Sequence, residues 1–240
     1  MRAVLLPIKD LRQAKQRLAP FLSPEDRFAL AQAMLSDTIR AVRGVRQADK
    51  IFVVTNYAPA MQAAKENGWE LLREEQQISE SVSVDAASRH CASCGVTALL
   101  RLPLDVPLVQ ASDIDELLAV ECASPALVIV PSRDGTGTNA ILRTPPTLFP
   151  SHFGSGSFAK HCAEAQHAGA QILIRRNARL EMDVDDETDL RALAQEDLRG
   201  TETGDWLQRT GLWQRLTQAP LQPPVRPLAS NDAMKPAANT

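Results

Sequence analysis

Carboxylates stand on both sides of two glycine-rich loops in this chain. Asp105 comes first, within Leu102-Pro-Leu-Asp105-Val-Pro107. The loops Asp134-Gly-Thr-Gly-Thr-Asn139 and Phe153-Gly-Ser-Gly-Ser157 follow and hold four of the eleven glycines. Met182-Asp-Val-Asp-Asp-Glu-Thr-Asp-Leu190 then carries five acids in seven positions, Asp183 to Asp189. Glycine lets backbone N–H groups approach an anion closely. Crowded carboxylates repel until a cation lies between them. Anion-cradling loops bracketed by acids point to metal-assisted phosphate chemistry.

Each group has a role in that chemistry and a plainer alternative. Asp183 and Asp185 point to one side of an extended segment, where a divalent ion removes their repulsion. Asp185 or Asp186 followed by Glu187 and Asp189 also fits a helix start, and Asp186 can cap while the other two bind metal. No glycine sits where an EF-hand loop requires one. Asp105, at the end of the run Leu99–Leu102 and between two prolines, is placed to hold Mg²⁺, a hard cation that takes oxygen ligands, or else to bond its own backbone as a turn residue. Lys9, Lys15 and Arg17 place three cations within nine residues, directly after the first apolar run. They suit a triphosphate, and a solvated basic loop is the alternative. Gly154 and Ser157 precede a helix whose N–H groups can receive a phosphate or carboxylate, and Thr138 and Asn139 add side-chain donors. Tight turns also use glycine.

The elements that must position these residues alternate. Strands are expected at Arg2–Ile8, Ile51–Thr55, Trp69–Arg73, Val96–Leu102, Ala126–Val130, Thr138–Leu142 and Gln171–Arg175. Lys9–Leu18 is expected to be a loop. A helix begins at Ser23-Pro-Glu-Asp26, with Ser23 capping and Phe28, Ala31, Leu35, Ile39 and Val42 on its buried face. Further helices are expected at Pro59–Asn67, Ser79–Cys94, a segment capped by Ser112-Asp-Ile-Asp115, Ser157–Ala168 and one amphipathic stretch over Glu202–Leu216. This alternation implies an α/β fold in three layers, with a mostly parallel sheet covered on both faces. Ligands of such sheets bind at the carboxyl ends of strands, where the loops after the first strand, at Asp105 and at Asp134–Asn139 converge.

The 240 residues, 44% of them apolar, suffice for one substantial core. A single domain is expected over residues 1–217 and a disordered tail over 218–240, which holds five of the sixteen prolines. The net charge of -3 and 4% aromatic content argue against a nucleic-acid polymer as partner. Of the four cysteines, Cys91 and Cys94 have metal spacing but lack a second pair or a suitably spaced histidine. No apolar run approaches the ~20 residues of a membrane span, and no signal peptide is legible. The expectation is a cytoplasmic protein with reduced thiols. Trp206 and Trp213 would pack on the domain or permit a homodimer.

In the order Pro7-x-Lys9…Lys15-x-Arg17-Leu18, the Asp105 segment, the two glycine loops and the Asp183–Asp189 run, the chain resembles the phosphoacid guanylyltransferases of coenzyme F-420 (deazaflavin) biosynthesis, which act on 2-phospho-L-lactate, phosphoenolpyruvate or 3-phospho-D-glycerate. The likeness spans roughly Met1 to Leu193 and leaves out the segment from about Gly200. It implies a nucleotide-diphospho-sugar-transferase-like fold and transfer of GMP from GTP to the acid's phosphate, with pyrophosphate leaving and a downstream deazaflavin transferase taking the product. It assigns Mg²⁺ to Asp105, Asp183 and Asp185, the phosphoacid to Thr138, Gly154 and Ser157, and the triphosphate side to Pro7, Lys15 and Arg17. The chain departs from the family at Glu80-Ser-Val-Ser-Val-Asp-Ala86, where a Gly-Leu-Asn-x-Ala stretch is usual. Ser81, Ser83 and Asp85 are candidates to replace its contacts to base and ribose, or the region is reshaped for a bulkier acceptor, with Cys91 and Cys94 contributing. A CTP- or UTP-using enzyme of the same fold and a non-catalytic nucleotide-binding subunit are the alternatives.

Overall fold

The computed structural model describes residues 1–218. The expected tail therefore lies, but for its first residue, outside the described residues. Seven strands form one sheet in the order β3-β2-β1-β4-β6-β5-β7. They are β1 (Arg2–Ile8), β2 (Lys50–Thr55), β3 (Glu70–Arg73), β4 (Ala98–Arg101), β5 (Ala126–Pro131), β6 (Thr138–Thr144) and β7 (Gln171–Ile174). All pair in parallel except β6, which runs antiparallel to both β4 and β5. The reason is length. Residues 132–137 join β5 to β6, and a parallel crossover needs a dozen or more.

Strand alternation sorts the core into two faces. Val4, Leu6, Ile8, Val128 and Val130 point to one side, where α1 (Pro24–Arg43), α2 (Ala58–Glu66) and α4 (Ala111–Leu118) pack. Ala3, Leu5, Phe52, Val54 and Leu99 point to the other and meet α3 (Glu80–Ser93); Leu127 and Ile129 meet α5 (Ser157–His167). The result is the expected three-layer, mostly parallel arrangement.

α1 starts as expected, with Ser23 Oγ accepting from Asp26 N at 3.1 Å. Its buried surface is wider than the five expected positions. Leu30, Ala33 and Met34 form a second stripe under Leu190, Leu193, Trp206 and Leu207. These belong to α7 (Glu187–Leu193) and α8 (Glu202–Arg209), which with α6 (Ala178–Glu181) and α9 (Leu212–Gln218) complete the described chain. Trp206 is buried and Trp213 packs against the same cluster, so both tryptophans pack on the domain, the first of the two expected roles. The expected single helix over Glu202–Leu216 is two, because Gly211 adopts φ 69° and turns the chain.

The start of α4 also differs. Gln110, not Ser112, is the cap, and its N–H donates to Asp113 Oδ2 at 2.9 Å. Asp115 instead accepts from Arg46 N and Gln47 N, at 2.9 and 2.8 Å.

Asp37 on α1 is the buried anchor of the C-terminal helices. It accepts from Glu202 N at 2.8 Å, Thr203 N at 3.0 Å and Thr203 Oγ1 at 2.6 Å, and pairs with Arg40. Asp37→Ala leaves those donors unsatisfied and is expected to cost about 3 kcal/mol of stability, read from the urea midpoint, with turnover per folded molecule unchanged.

Candidate active site

The carboxyl ends of β1, β4 and β5 lie on one edge of the sheet, and β6 begins there. The segments leaving that edge enclose a cleft with two lobes. The larger, 620 Å³, is lined by Arg17, Thr138, Asn139, Gly154, Ser157, Asp183 and Asp185 among others. The smaller, 460 Å³, is lined by Pro7, Lys9 and Lys15. Glu80, Arg101, Pro103 and Asp105 line both and form the boundary between them.

The two acidic segments meet through the backbone. Val184 N donates to Asp105 O at 3.0 Å, and Val184 is fully buried. Its neighbours Asp183 and Asp185 are turned to the cleft, as extended alternation requires. Asp186 takes the separate role of capping α7, accepting from Thr188 N and Asp189 N at 2.8 and 3.1 Å.

Lys15 occupies the middle of the acids. Its Nζ lies 2.9 Å from Asp105 Oδ2 and 3.2 Å from Asp185 Oδ1. Arg17 Nη1 approaches Asp185 Oδ2 at 3.5 Å from an exposed position. Burial works against the Lys15 charge, yet Asp105 and Asp185 outweigh it and hold the ammonium above its ordinary pKa. Burial likewise opposes ionisation of Asp105, and Lys15 reverses that and holds the carboxyl below its ordinary value. Among the described residues no cation is paired with Asp183. Burial pushes its carboxyl up to about 6, and repulsion from Asp105 and Asp185 adds to that despite a hydrogen bond from Asn139. The centre therefore has one carboxylate more than its cation satisfies. Among the described residues no group of three or more His, Cys, Asp or Glu side chains is assembled to hold a metal ion; the Lys15 ammonium stands between two of the three acids.

Lys15 is placed there against backbone preference. At φ 54° it is the only described non-glycine residue with positive φ. The loop expected over Lys9–Leu18 is two short 3₁₀ turns, Leu11–Gln13 and Gln16–Leu18, with this residue as the joint between them. A left-handed lysine is a local strain of about 1 kcal/mol, of the kind that clusters at functional sites.

The glycine loops differ from one another. The first is closed on itself. Asp134 accepts from Ser132 Oγ, Thr136 N and Thr136 Oγ1 at 2.6, 2.9 and 2.8 Å, and Gly137 N donates to Ser132 Oγ at 2.7 Å. Those bonds, led by the one from Ser132, drop the Asp134 carboxyl to about 2. Its N–H groups are engaged, so it shapes the wall rather than cradling an anion. The second loop is open. Gly154 at φ 112° and Gly156 at φ 67° turn it, and the N–H groups of Gly154, Ser155 and Gly156 have no protein acceptor among the described residues. Gly154 and Ser155 line the larger lobe.

Four expected contacts move elsewhere. Asn139 lines the larger lobe, but its Nδ2 donates to Asp183 Oδ1 at 3.1 Å and Leu180 O at 2.9 Å, so it holds the acid rather than the acceptor. Ser83 is buried, and its hydroxyl donates to Ser79 O one turn back at 3.0 Å. Ser81 Oγ accepts from Phe153 N at 3.0 Å, and Asp85 accepts from Ser151 N at 3.0 Å. The unusual Glu80–Ala86 stretch thus clamps the approach to the second glycine loop. Cys91 lies in the core under α3, its thiol pushed up to about 12 by burial, and lines neither lobe.

Arg101, Glu80 and His161 were missed. Arg101 is almost fully buried, pairs with Glu80, stacks 4.3 Å over the Phe153 ring and reaches the carbonyls of Thr138 and Asn139. An arginine within an apolar strand was its one sequence signal.

Comparisons with known proteins agree with this architecture. The family model described as "Guanylyl transferase CofC like" matches residues 1–221, which extends the likeness through α8 and α9. A phosphoenolpyruvate guanylyltransferase of Rubrobacter xylanophilus is 33% identical over 189 residues, 79% of this chain and 91% of that protein. A 2-phospho-L-lactate guanylyltransferase of Methanothermobacter thermautotrophicus is 30% identical over 186 residues, 78% and 81% of the two chains. Among solved structures, a protein assigned as a nucleotide-diphospho-sugar transferase from Desulfovibrio desulfuricans G20 superposes with a TM-score of 0.71 at 16% identity, over 89% of this chain and 96% of that one. That likeness bears on the fold alone. On the family match and these relatives, the chain belongs to the CofC-like guanylyl transferase family and is a nucleotidyltransferase.

Proposed function

We propose that the protein transfers GMP from GTP to the phosphate of a three-carbon phosphoacid, within coenzyme F-420 biosynthesis. The observation that carries this reading is the two-lobed cleft whose boundary holds Asp105. The nucleotide belongs in the smaller lobe, with Pro7, Lys9 and Lys15 toward its phosphates. The acceptor belongs in the larger, against Thr138, Gly154 and Ser157. Their phosphates then meet at the boundary. A phosphate oxygen of the acid bonds to the α-phosphorus, the bond from that phosphorus to the bridging oxygen breaks, and pyrophosphate leaves. The nucleophile is already an anion, so the work is orientation and charge neutralisation, and neither lobe needs a nucleophilic side chain.

Family membership points to a divalent metal, and the donor set fits Mg²⁺. Asp105, Asp183 and Asp185 supply hard oxygen ligands, and the unneutralised Asp183 marks the missing positive charge. When bound, the metal would offset charge on the phosphates. Lys15 and Arg17 hold the acids in place and turn to the triphosphate. No described helix is long and apolar enough to cross a membrane, which suits action in the cytoplasm. The product, a diphosphate that joins GMP to the acid's phosphate, is consumed by a downstream transferase that passes the phosphate-bearing acid group to a deazaflavin and releases GMP.

Incubation with GTP, Mg²⁺ and each of phosphoenolpyruvate, 2-phospho-L-lactate and 3-phospho-D-glycerate tests this. Mass spectrometry is expected to find the GMP–acid adduct, with pyrophosphate released in equal amount. Pyrophosphate release with CTP or UTP in preference to GTP, or none with any acid, would contradict it.

A further inference from the structure

His161 is fully buried on α5, behind the larger lobe. The backbone N–H of His152 lies 2.9 Å from its Nε2, and Thr138 Oγ1 lies 3.1 Å from its Nδ1. A backbone N–H can only donate, so Nε2 carries the lone pair and Nδ1 the hydrogen. Nδ1–H therefore donates to Thr138 Oγ1. Ser157 Oγ stands 3.1 Å from that same oxygen. The two hydroxyls own two hydrogens. One closes the bond between them, and the other has no protein acceptor among the described residues. Both residues line the larger lobe.

We propose that His161 is a positioning residue for the acceptor: by holding the Nδ1–H tautomer behind Thr138, it makes the Thr138–Ser157 pair a hydrogen-bond donor toward an anionic oxygen in the lobe. The inference rests on the larger lobe being the acceptor's. With the imidazole supplying one hydrogen from behind, Thr138 has no reason to turn its own hydroxyl inward. Were Nδ1 bare, Thr138 would donate to it, and the lobe would face a lone pair that repels an anion. Two features keep the tautomer in place. Phe149 and Phe153 flank the ring, with centroids 5.9 and 5.1 Å away. Burial, reinforced by the charges of Arg143, Arg101, His152 and Lys160, drops the imidazole to about 3, so it stays neutral at neutral pH.

Two amide variants, each able to mimic one ring nitrogen, separate the halves of the relay. In His161→Asn the amide nitrogen can take the place of Nδ1 and donate to Thr138. In His161→Gln it reaches only toward the His152 side. The KM for the phosphoacid is expected to stay within about threefold of wild type in His161→Asn and to rise about tenfold or more in His161→Gln, with the KM for GTP unchanged in both. In a Thr138→Val background, His161→Gln is expected to add nothing further. Equal effects in the two variants, a parallel rise in the KM for GTP, or additivity with Thr138→Val would overturn the proposal. Long-range ¹H–¹⁵N NMR of the wild-type imidazoles decides the same point without a substitution. The His161 imidazole, assigned by its absence from the spectrum of His161→Gln, is expected to carry its hydrogen on Nδ1, and an Nε2–H tautomer would sink the idea. If the wild type makes no product with any acid, the proposed function fails on its own, and the NMR result still reads the tautomer.

Discussion

Asp105→Asn is expected to lower turnover of GTP on the order of 10³-fold, while the urea midpoint moves by less than the equivalent of about 1 kcal/mol. The two effects part because of where this residue sits. The asparagine side-chain oxygen can still accept from the buried Lys15 ammonium, and that ammonium keeps Asp185 at 3.2 Å. The backbone bond from Val184 to Asp105 O does not depend on the carboxylate. In the proposed reaction catalysis depends on it, because of the three proposed metal-binding acids Asp105 alone lines both lobes. The check is steady-state pyrophosphate release together with urea unfolding. Wild-type-like turnover in a folded Asp105→Asn protein would remove the residue from the reaction.

Replacing Lys15 separates chemistry from folding in another way. Lys15→Ala and Lys15→Gly are both expected to lose about 10²- to 10³-fold in turnover, because both remove the cation between Asp105 and Asp185 that would otherwise meet the triphosphate. They should differ in stability. An alanine at φ 54° keeps the left-handed penalty and glycine does not, so the glycine variant is expected to be the more stable by roughly 1 kcal/mol. Equal urea midpoints would show that the loop relaxes once the ammonium is gone. Retention of turnover in either variant would show that the strain serves something other than the reaction.

The parts of this site that local sequence rules govern were readable in advance. β1 is an apolar run with the right bounds, Ser23 and Asp186 are side chains that satisfy the next turn's N–H groups, and Asp183 and Asp185 flank an apolar residue that had to turn inward. What could not be read depends on partners distant in sequence. The amide of Asn139 is claimed by Asp183, 44 positions later. Ser81 meets Phe153 across 72 positions. The first glycine loop looked like an anion cradle, and Ser132 behind it together with its own Asp134 closes its N–H groups off. Arg101 is unusual in an apolar strand, but a charge there announces a partner without naming it, and Glu80 reads as an ordinary first-turn acid of α3. The kink at Gly211 and the Gln110 cap failed for a smaller reason. A periodic apolar pattern runs through a left-handed glycine unchanged, and Ser112 is the better cap in isolation than the glutamine that packing selects.

The central claim is that Asp105, Asp183 and Asp185 hold a divalent ion against the nucleotide's phosphates. Anomalous diffraction from crystals grown with Mn²⁺ and α,β-methylene-GTP tests it most directly. The account predicts one strong peak at about 2.1 Å from oxygens of Asp105 and at least one of Asp183 and Asp185, with Lys15 Nζ moved onto the triphosphate. A nucleotide bound with no metal at these carboxylates, or with Lys15 still bridging Asp105 and Asp185, would contradict it.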